Sequence, residues 1–175
     1  MINKDFFIEN FKTLFYALII AVIIRSLLIQ PFYIPSSSME PNLLVGDRIF
    51  VTKYSYGYSK HSFPFSPPIF KGRIISAEPQ RGDVVVFKTP ADNRTDYIKR
   101  LIGLPGDTIQ FINGDIYINT KKIIRKKIKT SLKIRCGSYD LEVNSFIEKL
   151  PNGIEHVAVY KKNGTMQNTK KFLVP

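Results

Sequence analysis

Cysteine occurs once, tryptophan not at all and histidine twice in a chain of 175 residues. A lone thiol, Cys136, excludes an intrachain disulfide and a cysteine-rich metal site. His61 and His156 lie too far apart for a histidine metal motif. No His/Asp or His/Cys cluster exists to build a histidine-based nucleophilic triad. Acids are scarce as well: 14 Asp and Glu stand against 26 Lys and Arg, a formal charge of +12. That imbalance has two readings, a nucleic-acid or anionic-membrane surface, or plain compositional bias, since Lys outnumbers Arg by 18 to 8. The densest basic run, from Lys121 to Lys129 and on to residue 135, is interrupted by isoleucines in a strand-like way and reads as a solvated face.

What the chain does contain is enough apolar material for a core. Hydrophobic residues make up 44%, which excludes disorder as the main reading. Residues 11–29 are mostly apolar, and Leu14 to Ile24 carries no charge. Nineteen helical residues span roughly 28 Å, about the thickness of a hydrocarbon core. No small-x-small cleavage site comes after it; Gln30-Pro31-Phe32-Tyr33-Ile34-Pro35 does, so a membrane anchor is expected rather than a cleaved leader. Lys4 and Lys12 precede the span, and no Lys or Arg lies between Arg25 and Arg48. The positive-inside rule then places residues 1–10 in the cytoplasm and residues 30–175 outside.

Beyond residue 30 the pattern is that of strands. Residues 48–53, 83–88 and 96–102 read as strands, the second an all-apolar run of the kind buried on both faces. Asn113-Gly114 between alternating segments predicts a type I′ hairpin over 108–118. Pro151-Asn152-Gly153 predicts a second, joining 146–150 to 154–160. Residues 54–80, rich in aromatics and proline, read as a loop-rich excursion. The fold class expected is an all-β domain behind one N-terminal transmembrane helix.

Two features carry possible chemistry. A proline-bracketed serine cluster, Pro35-Ser36-Ser37-Ser38-Met39-Glu40-Pro41, is by itself an ordinary turn. Lys99 shares a strand face with Tyr97 and Leu101, and alone it reads as an edge-strand lysine. Together they resemble a known family, the membrane-bound type I signal peptidases, serine proteases with a Ser/Lys dyad. Ser36-Ser37-Ser38-Met39-Glu40-Pro41 is similar to its Ser-x-Ser-Met-x-Pro box. Arg81-Gly82-Asp83-Val84-Val85-Val86-Phe87 is similar to the next box, and Tyr97 to Asp107 to the lysine box, in family order. Arg25-Ser26 and then Gln30-Pro31-Phe32 fit the family's exit from the membrane.

The resemblance implies Ser38 as nucleophile and Lys99 as general base, with Ser36 Oγ and the Ser38 backbone N–H as oxyanion hole. It implies that Phe32, Ile34, Tyr97 and Ile98 line a groove for an extended peptide. The substrate would be an exported preprotein, cut after a small-x-small motif at the outer face of the inner (plasma) membrane. A lysine serves as base only when neutral, and apolar surroundings favour that form. The bilayer and the signal peptide are the expected partners, the protein acting as a monomer without nucleic acid; no metal, nucleotide or organic cofactor is signalled. The family also carries a Gly-Asp-Asn-Arg box after a Val-Pro pair; here Val174-Pro175 are the last residues, so a C-terminally incomplete β-fold is expected. A truncated, inactive peptidase and a basic anchored β-domain binding anionic lipid remain the alternatives.

Overall fold

The computed structural model describes residues 4–68, 71–137, 139–161 and 168–175. It divides into two units, Met1–Phe32 with Arg48–Glu78, and Tyr33–Asp47 with Pro79–Pro175. The first begins with helix α1, Lys4–Leu27, the one α-helix among the described residues. At 24 residues it is long and apolar enough to cross a membrane, and its large side chains, from Phe6 to Ile24, are exposed. Asp5 in the first turn and Arg25 in the last complement the helix dipole.

After α1, strand β1 (Ile29–Tyr33) pairs with β2 (Arg48–Thr52). The excursion after β2 holds no strand among its described residues, as its proline and aromatic content implied. It is closed by a Tyr58–Ile74 bridge and by Tyr58 Oη donating to the Leu27 carbonyl at 2.9 Å. Gly57 stands at φ +76°, and a Cβ there would lie 2.4 Å from the Ile75 carbonyl oxygen. Since that obstacle is backbone, Gly57→Ala should destabilise this unit by at least about 2 kcal/mol. Faster proteolysis within residues 54–78 would report it; an unchanged cleavage rate would contradict it.

The second unit is antiparallel throughout. Strands β3 (Val84–Lys88) and β4 (Asp96–Arg100) form a two-stranded ladder, with Val85 opposite Lys99. Strands β5 (Thr108–Ile112), β6 (Asp115–Ile118), β7 (Lys121–Lys122) and β11 (Phe172–Leu173) form a sheet of order β11-β5-β6-β7. Strands β8 (Ile124–Cys136), β9 (Tyr139–Lys149) and β10 (Glu155–Lys161) form the third, of order β10-β9-β8. Ile118, Ile123 and Leu150 make its buried nucleus, with Ile102, Ile109 and Ile116 packed against them.

The Asn113-Gly114 turn has both residues at positive φ, 50° and 79°, as a type I′ turn requires. The Asn152-Gly153 turn closes β9 onto β10, with Gly153 N–H donating to the Leu150 carbonyl at 2.8 Å. The basic run forms β7 and the long strand β8. Exposed Lys121, Lys126 and Lys127 bear out the solvated reading for those positions. One expectation fails. Val84 and Phe87 of β3 are exposed, so this strand is not buried on both faces. It belongs to a two-stranded ladder, and such a pair cannot cover its own faces.

Candidate active site

Ser38 stands on a short 3₁₀ turn, Ser37–Met39, entered through Ser36 in extended conformation. Met39, 7% exposed, anchors that turn in the interior, which leaves Ser36 and Ser38 exposed beside it. The loop carrying the turn is closed at its base by backbone bonds. Ile34 N–H donates to the Asp47 carbonyl, and Gly46 N–H to the Ile34 carbonyl, each at 2.9 Å. Asp47 Oδ2 also accepts from Leu44 N–H at 2.8 Å.

Lys99 reaches this turn from β4. Its Nζ donates a hydrogen bond to Ser38 Oγ, joining residues 61 apart in the chain. Ser36 Oγ lies 3.4 Å from Ser38 Oγ. The Tyr97 ring, on the same strand face, has its centroid 5.7 Å from Lys99 Nζ. A serine hydroxyl in hydrogen-bond contact with a lysine amine, with a second hydroxyl alongside, is the arrangement asked of a nucleophile and its base.

The surroundings are wetter than the apolar enclosure anticipated from the strand pattern. Lys99 and Ile98 are half-buried, but Ser36, Ser38 and Tyr97 are exposed. The uncovered β3–β4 ladder is the reason. Ile34 is buried at 2% exposure, with its backbone N–H and carbonyl engaged in the loop base. Phe32, on β1, is half-buried. A hollow of about 200 Å³ lies away from the serine and lysine, lined by Thr108, Gln110, Ile112, Tyr117, Thr120 and Lys171. Among the described residues no three His, Cys, Asp or Glu side chains converge as metal ligands would.

The strand bearing Lys99 is braced by an ion pair that sequence reasoning missed. Arg81 pairs with Asp107 at 2.7 Å, the two side chains only 11% and 10% exposed. Arg81 also donates to the Ile102 carbonyl at 2.5 Å. Asp107 accepts from Leu104 N–H and from Asn119 Nδ2, both at 2.7 Å. The Leu104 bond foremost, with those of Arg81 and Asn119, holds the Asp107 carboxyl below its usual range against the opposing effect of burial. Arg100, pointing away from Lys99, donates to the Gly82 carbonyl at 2.6 Å. Gly82 itself is buried.

Residues 7–172 match the family model described as signal peptidase, peptidase S26. A signal peptidase I of Rickettsia typhi is 44% identical over 95% of this chain and 65% of its own length. That of Rickettsia prowazekii is 48% identical over the same shares. That of Rickettsia canadensis is 48% identical over 83% of this chain and 54% of its own. The chain thus spans between about half and two thirds of the length of these relatives. With a family match over nearly its whole length, the chain belongs to the signal peptidase family, peptidase S26.

Proposed function

We propose that the protein is a membrane-anchored serine endopeptidase that removes signal peptides from exported preproteins. The observation that carries this reading is the hydrogen bond from Lys99 Nζ to Ser38 Oγ. Lys99, when neutral, takes the Ser38 proton as the hydroxyl oxygen attacks the carbonyl carbon of the scissile bond. It returns that proton to the departing amine, leaving an acyl-Ser38 ester, and then activates the water that hydrolyses it. Ser36 Oγ and the Ser38 backbone N–H stabilise the oxyanion.

The helix Lys4–Leu27 supports an anchor drawn from residues 11–29, with residues 30–175 on the outer side of the plasma membrane, where signal peptides emerge. The protein acts as a monomer, and its partners are the bilayer and the preprotein. Exposed Tyr97 on the Lys99 face and half-buried Ile98 on the opposite face flank the β4 backbone, along which an extended peptide can lie. In an extended peptide the first and third residues before the cut face the same side, so one surface screens both.

The test is cleavage of a purified preprotein by the detergent-solubilised protein, with the new N-terminus read by sequencing. Replacing the small residue at the first or third position before the cut with phenylalanine should lower the rate at least about 100-fold. Cleavage that ignores these replacements, or none of the unaltered preprotein, would overturn the reading.

A further inference from the structure

The serine turn is held from two different sheets. Lys99 of the β3–β4 ladder grips Ser38 itself. On the other side, Asn42 Nδ2 donates to the Val157 carbonyl at 2.8 Å, across 115 residues of chain. Val157 belongs to β10, the outer strand of the β10-β9-β8 sheet. Between these contacts the turn is closed on itself. Glu40 N–H donates to the Ser37 carbonyl, and Asn42 N–H and Leu43 N–H both donate to the Met39 carbonyl. A shift of the Asn42 end is therefore passed directly to the Ser37–Met39 turn.

We propose that Asn42 is a positioning residue, tethering the nucleophile turn to β10 so that Ser38 Oγ stays within reach of Lys99 Nζ. The inference rests on the peptidase reading above and deepens it. Asn42 is exposed, so water competes for its bond and the contact contributes little to global stability. Its weight falls on geometry, where an error of about 1 Å costs on the order of 100-fold in rate.

Two variants test it. Asn42→Asp keeps the shape and loses the donor; Asn42→Ala loses both. Both should lower kcat about ten- to 100-fold in preprotein cleavage, with KM and the thermal midpoint unchanged. Hydrogen exchange over residues 36–46, monitored by mass spectrometry, should speed up in both variants, and it reads the tether even in a protein that cleaves nothing. A parental kcat in Asn42→Asp would overturn the proposal. So would kcat and thermal midpoint falling together, the mark of a merely structural contact. If the parent does not cleave the preprotein, the peptidase reading fails; the tether then stands or falls on the exchange result, and unchanged exchange overturns it.

Discussion

Replacing Ser38 with alanine should lower preprotein cleavage by at least about 10³-fold, and Lys99→Ala should fall to the same floor. In the proposed mechanism the two side chains act as one unit, since the hydroxyl is a poor nucleophile until the amine accepts its proton. The double variant should accordingly be no slower than either single one. Lys99→Arg separates base chemistry from mere positive charge, because a guanidinium keeps its proton at any pH a protein survives. It too should be inactive. Ser38 is exposed, so its loss should leave the thermal midpoint near that of the parent. Single-turnover cleavage in detergent is the measurement, and parental rates in Lys99→Arg would remove lysine from the role of base.

The second large effect belongs to stability. Asp107→Ala should cost about 3–5 kcal/mol, because it leaves the Arg81 guanidinium buried without its carboxylate. It also strips the Leu104 N–H and Asn119 Nδ2 of their acceptor. Arg81→Ala should cost less, about 1–3 kcal/mol, since two donors remain on the carboxylate. Asp107 brings a pH dependence with it. Its folded-state pKa lies below the usual aspartate value, so its contribution is complete above the unfolded pKa of about 3.9 and is lost as pH falls through the depressed value. Urea midpoints measured from pH 6 to pH 2 should therefore fall more steeply in the parent than in Asp107→Ala. Parallel curves would refute the assignment.

Which features could be foreseen depends on how far each signal reaches along the chain. Asn113-Gly114 was legible because both residues tolerate positive φ at little cost. The matching β6–β7 turn was not, because it places Asn119 and Thr120 at φ of 50° and 69°, and a β-branched threonine is no turn signal. What holds that turn is long-range: Asn119 Oδ1 accepts from Thr108 N–H at 2.8 Å while its Nδ2 reaches Asp107. The β8–β9 hairpin was half visible; the basic run looked strand-like for its interspersed isoleucines, but of its partner β9 only residues 146–150 read as a strand, and those as the partner of 154–160. Val84 to Phe87 misled, since an apolar run records composition and says nothing of whether a second layer will lie over it. Ser38 and Lys99 were each unremarkable alone, and only the motifs in order drew them together. Asn42 and the Arg81–Asp107 pair were invisible, because a polar residue's partner 26 or 115 positions away leaves no local mark.

The N-terminal helix is apolar on every side from Leu14 to Ile24, with no polar stripe to give it a heading. In a bilayer such a rod fixes depth without fixing azimuth, for lipid meets each of its flanks alike.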